Sequence, residues 1–140
     1  MIRPRAIALG LVLWSATPSV AAPTPSGTKN DPLVAETQAW VAARPVLEKY
    51  CARCHTQGAK SATKRKLAHF DMTSYPLGGH HAATIGATLR DVLGVTGKRP
   101  RMPADRPGIV AGNELAAIEA WAHAWDAADK AGLHPSVVHH

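Results

Sequence analysis

Cysteine is scarce in this chain: 140 residues hold two, Cys51 and Cys54. With both in one short motif, nothing remains for a disulfide framework or a four-thiolate metal site. A structural zinc site would need a second Cys or His pair. His69, His80 and His81 are the nearest supply, and no two of them have zinc-finger spacing. Aromatic residues are few, and none interleaves with the basic residues as in a nucleic-acid groove, so nucleic acid is discounted as a partner. No apolar run reaches the roughly 20 residues a membrane-spanning helix needs. No stretch alternates at period two for long enough to be a strand, and there is no internal repeat. The chain reads as all-α.

What is present is Cys51-Ala52-Arg53-Cys54-His55. The pattern C-x-x-C-H is the attachment signature for covalently bound haem c. On a helix the three side chains stand at i, i+3 and i+4, on one face. Two thiols there can reach two vinyl groups as thioethers, and the imidazole can reach the iron between them. A thiol-redox motif would follow a strand in a βαβ pattern, whereas Ala35 to Tyr50 reads as helix.

The N-terminus has the form of an export signal. Arg3 and Arg5 precede an apolar run, Ala6 to Trp14, and Ser19-Val20-Ala21 is a small-x-small cleavage site. No cysteine follows the run to carry a lipid. Residues 1–21 are therefore expected to be a signal peptide, and the mature chain a periplasmic or otherwise exported protein with no transmembrane segment after processing. Residues 22–32, rich in Pro, Ser and Gly, read as a flexible tether, residues 33–130 as one small domain and 131–140 as a frayed tail. The formal charge of +6 falls to +4 without Arg3 and Arg5, and near +2 with two haem propionates. Two basic groups remain. Lys60, Lys64, Arg65 and Lys66 follow the motif, and Lys98, Arg99, Arg101 and Arg106 surround Met102. Such a rim suits an acidic docking face on a redox protein partner.

Along the domain, Leu33, Thr37, Trp40 and Val41 make a helical stripe, with Asp31 as cap and Pro32 at the first position. Pro45 predicts a break near Ala43, then a second helix or a kinked continuation through Cys54 with Val46, Leu47, Tyr50, Cys51 and Cys54 on one face. Residues 56–66, polar and basic, predict a loop. Leu67, Phe70, Met72, Tyr75 and Leu77 scatter around a turn at Pro76. Ala82 to Leu93 predicts a helix closed by Gly94 and Gly97. Residues 98–112 hold three prolines and two glycines and predict a loop. Asn113 is the expected cap of a last helix, with Leu115, Ile118, Trp121, Ala122 and Trp125 facing inward and Gly132 at its end. His123, His134, His139 and His140 read as solvent-exposed.

From about Val41 to Ala127 this order resembles class I c-type cytochromes: a helix, C-x-x-C-H, loops, Met-Pro in a loop, and a terminal amphipathic helix. Ala43, Leu47 and Cys51 match the family's small, apolar and first-Cys positions, with Ala43 where glycine is usual and Leu47 where an aromatic is usual. Ile118 and Trp121 match the apolar-x-x-aromatic pattern of the last helix. The resemblance implies a small helical domain around one covalent haem, the last helix crossing the first near Ala43. It implies His55 and Met102 as axial ligands. Met102-Pro103 stands 47 residues after His55, and its flanks lack the periodicity of a core segment. His80 and His81 are alternative sixth ligands and would give a lower potential. His69 and Met72 lie too close to His55 in sequence to wrap the ring. The family also supplies a proline carbonyl to the ligand histidine about a dozen residues on. Position 67 here is leucine, so another acceptor, between Ala62 and His69, is expected.

The function expected is a single-haem electron carrier with no catalytic acid, base or nucleophile. The alternatives are a haem enzyme with an open or weak sixth position, and a sensor or subunit module.

Overall fold

Asp31 starts the first helix. Its carboxylate accepts the Leu33 amide at 2.9 Å, and Pro32 takes the first turn, where a missing N–H costs nothing. The computed structural model describes residues 31–134. The expected signal peptide, nearly all of the tether and the last six residues lie outside them. Helix α1 runs over Pro32–Tyr50 without the break expected at Pro45. Pro45 and Val41, whose carbonyl loses its helical partner, are both exposed, so water can take the missing bond. The buried face of α1 also differs from the expected stripe. Leu33 and Val41 are exposed, whereas Glu36, Ala43, Val46 and Leu47 are buried.

A change of backbone at Cys51 (φ −113°) ends α1, and helix α2 follows at once over Ala52–His55. Helix α3, Lys64–His69, falls partly in the segment expected to be loop. Thr63 caps it, its hydroxyl accepting the Lys66 amide at 3.2 Å. One turn of 3₁₀ helix, Ala82–Thr84, leads into α4, Ile85–Val92. Helix α5 covers Gly112–Lys130. Its cap is Ala111 rather than Asn113, which lies inside the first turn. It ends as expected: Gly132 (φ +69°) donates to Asp129 and Leu133 to Ala128, the paired bonds of a left-handed glycine stop. The described residues contain no strand, only one isolated bridge between Asp71 and Gly78. None of their helices is long and apolar enough to cross a membrane.

Helices α1 and α5 form the main packed pair. They run antiparallel. Tyr50, at the end of α1, donates to Glu114 at the start of α5 (2.6 Å), while Glu36 near the start of α1 meets His134 beyond the end of α5 (2.9 Å). Between these ties Ala43, Leu47, Ile118, Trp121 and Trp125 are essentially inaccessible, as the crossing near Ala43 requires. Each large apolar side chain buried there contributes about 1.5–3 kcal/mol. Helix α4 closes on α5 through Gly86, where a Cβ would stand 2.5 Å from the Ala122 carbonyl. Arg90 pairs with Asp126 beside it. Ile85, Leu89, Leu93, Phe70 and Leu77 complete one core.

Candidate haem-attachment site

The two helices that meet at Cys51 hold the pentapeptide in helical register. Cys51 donates to Leu47, and the Cys54 and His55 amides both reach the Cys51 carbonyl at 3.0 Å. Cys51, Cys54 and His55 thus fall within about one helical turn, just past the change of backbone at Cys51. Both thiols are free and half-buried.

The far end of the turn is pinned by the segment after α3. The His55 amide carbonyl accepts the Met72 N–H at 2.6 Å. The His55 ring lies 2.9 Å, through Nδ1, from the carbonyl oxygen of Phe70. A carbonyl can only accept, so Nδ1 carries the proton and Nε2 is left with a free lone pair. The acceptor lies one residue beyond the expected window of 62–69. Phe70 is the first residue past α3, in extended conformation (φ −151°), so its carbonyl escapes the helical bonding that occupies the carbonyls before it. The Phe70 ring, 5.0 Å from the imidazole between centroids, adds a packing wall.

Burial, and secondarily the charge of Cys54, pushes the Cys51 thiol up to about 12. Thiols that work by exchange or bind metal as thiolate are instead shifted down. Lys66 Nζ approaches Cys54 Sγ at 3.6 Å while donating to the Ser61 carbonyl at 2.7 Å, and so covers this sulfur.

One exposed ion pair links the loop holding Met102 to the motif. Arg53, inside the pentapeptide, pairs with Asp105 at 3.8 Å. The Arg101 and Met102 amides both donate to the Val92 carbonyl, at 2.8 and 3.1 Å, which fixes the loop to the end of α4. Met102 is 37% exposed, whereas its neighbour Pro103 is buried. The methionine side chain is therefore not a core residue.

His80 and His81, the alternative sixth ligands, gather with a third histidine. Their amides donate to the Ala68 and His69 carbonyls, and their rings gather with that of His69. Burial, then the neighbouring His80 and His69, lower the pKa of His81. Sequence spacing gave no sign of this cluster. His123 is exposed as expected, but His134 is not: its side chain is 7% exposed and lies between Glu36 and the Trp125 ring.

The basic rim is uneven. Asp91 pairs with both Lys98 (2.6 Å) and Arg101 (2.8 Å), and Arg106 shares Asp105 with Arg53. Among the described residues Lys60, Lys64, Arg65 and Arg99 make no ion pair, and three of these follow the motif. A groove of about 470 Å³ is lined by Trp40, Arg44, Ala52, Thr56 and Tyr75 among others.

The thiols and imidazole of the turn are compatible with haem attachment: two unpaired sulfurs and a ring whose tautomer the Phe70 carbonyl sets. No protein-family model, curated protein or solved structure matches the chain. The functional reading stands on these residues.

Proposed function

We propose that the chain is an exported single-haem electron carrier of the class I c-type cytochrome kind. The observation that carries this reading is the bond from His55 Nδ1 to the Phe70 carbonyl, beside two free thiols in helical register. It leaves Nε2 as the free lone pair of the ring, and ties the imidazole to the backbone.

When bound, the haem would supply one iron that exchanges a single electron between its ferric and ferrous states. The chain's part is to hold and tune. Cys51 and Cys54 would hold the haem as thioethers, and His55 and Met102 would ligate its iron; the Met102 loop has one exposed contact to the motif, between Asp105 and Arg53. A neutral, soft thioether favours ferrous iron and raises the potential relative to a second imidazole. Lys60, Lys64 and Arg65 form the cationic edge beside the motif, suited to steering an acidic partner.

The test is the absorption spectrum of protein matured with haem attachment machinery. The expected ferric spectrum is low-spin with a weak long-wavelength sulfur-to-iron band. Met102→Ala removes that band, and the double change His80→Ala/His81→Ala leaves it intact. Absence of tetrapyrrole after acid extraction of the denatured chain overturns the whole reading. A high-spin ferric spectrum replaces the carrier by a haem enzyme or sensor with an open sixth position.

A further inference from the structure

Three imidazoles, separated in sequence by up to a dozen residues, meet outside the haem-attachment turn. One ligand nitrogen from each of His69, His80 and His81 lies within 4.8 Å of the other two. Ring centroids are 4.3 Å apart for His69 and His80, 4.2 Å for His80 and His81, and 5.6 Å for His69 and His81.

The backbone is built to make this meeting. His69 ends α3, and His80 and His81 follow the Gly78-Gly79 pair. The His80 amide donates to Ala68 at 2.8 Å and the His81 amide to His69 at 3.3 Å, so the second segment is laced onto the end of the helix. Gly79 lets it approach. At φ +90°, a Cβ there would meet the His69 carbonyl oxygen at 2.7 Å and the Phe70 nitrogen at 2.8 Å. No other residue type permits that approach without backbone movement.

We propose that His69, His80 and His81 form a site for a borderline divalent transition ion, Cu²⁺ most tightly and Zn²⁺ after it. Imidazole nitrogen suits both ions, and the order follows the general affinity series for such donors. With metal–nitrogen bonds of about 2.0–2.1 Å, ligand nitrogens stand roughly 3.3 Å apart, so the three must draw together from their present spacing. His69 and His80 are exposed and can rotate to do so, and their exposure leaves water as a further ligand. Three protein nitrogens leave a coordination position open to water or another small ligand, unlike a closed structural site. Neither cysteine takes part, so the metal site and the haem stand or fall separately.

The full-length protein is titrated with copper sulfate and with zinc chloride, its thiols occupied by haem or capped with iodoacetamide so that they cannot compete. One equivalent of Cu²⁺ is expected to bind, with electron paramagnetic resonance giving a multi-nitrogen superhyperfine pattern, and to displace Zn²⁺. His69→Ala and His80→Ala, both at exposed positions, each weaken Cu²⁺ binding about tenfold or more. His139→Ala/His140→Ala leaves it unchanged. Equal affinity in His69→Ala and wild type, or loss of binding on changing the two terminal histidines, overturns the assignment.

Discussion

The imidazole of His55 donates to the carbonyl of Phe70 across fifteen residues of chain, at 2.9 Å. This one bond fixes the tautomer, aims Nε2 away from the segment after α3, and makes that segment a support for the turn that holds both thiols. The sulfurs then have separable roles. Cys51→Ala and Cys54→Ala are each expected to keep tetrapyrrole mass through the remaining thioether, with a shifted pyridine haemochrome band. The double variant should release all of it into acid solvent. Mass spectrometry of the denatured chain is the check.

The cationic edge beside the motif should govern encounter rate rather than the spectrum. Lys64→Glu/Arg65→Glu is expected to slow oxidation of the reduced protein by ferricyanide several-fold at low salt, and the difference should shrink as salt rises. Arg101→Glu, whose parent side chain already pairs with Asp91, should slow it less. Stopped-flow rates at two ionic strengths separate these outcomes.

Glu36 and His134 join the two ends of the helix pair in a site where their side chains are 2% and 7% exposed. His134→Leu leaves a buried carboxylate without its partner and should destabilise by about 3–5 kcal/mol. Glu36→Leu/His134→Leu should recover most of this loss, because no unpaired charge remains. Urea unfolding of the three proteins measures it. A His134→Leu protein as stable as wild type would mean that the pair holds nothing together.

Gly86→Ala sets two effects against each other. Alanine gains about 1 kcal/mol of helix propensity over glycine. Its Cβ, however, would stand 2.5 Å from the Ala122 carbonyl, a backbone atom that cannot step aside. Overpacking of this kind costs about 1–3 kcal/mol, so net destabilisation with α4 displaced from α5 is expected. Thermal unfolding shows the sign.

The tie between α1 and α5 at Glu114 makes stability depend on pH. The Lys49 hydrogen bond, then that of Tyr50, holds the Glu114 carboxyl below the usual carboxylate range. The pKa is lower folded than unfolded, so the contribution is fully present above the unfolded value, near 4.3, and is lost as pH falls through the folded one. Asp91, held down chiefly by Lys98, behaves alike. Glu114→Gln should therefore lower stability near neutral pH, and the gap to wild type should narrow toward about pH 3. A gap that is constant with pH would remove the carboxylate from this role.

What could be read from the sequence was what local rules encode. The buried face of α5, its Gly132 stop, the α1 cap at Asp31 and the helical spacing of Cys51, Cys54 and His55 all follow from neighbours within a turn or two. The stripe of α1 was misplaced because its buried face contains a carboxylate, Glu36, whose partner lies 98 residues away. Helix α3 was hidden by its lysines and arginine, with the Thr63 cap as the signal that could have revealed it. The Phe70 acceptor was missed by one residue for the same reason: the end of α3 decides which carbonyl is spare. The histidine cluster depends on a backbone approach at Gly79, and no spacing rule contains that.

The antiparallel embrace of α1 and α5 also sets an order of events. Helix α1 has no complete partner until α5, the last helix among the described residues, has been made, so the native core cannot assemble progressively behind the emerging polypeptide. The pentapeptide, which closes α1, therefore gains its full surroundings only when that distant helix arrives.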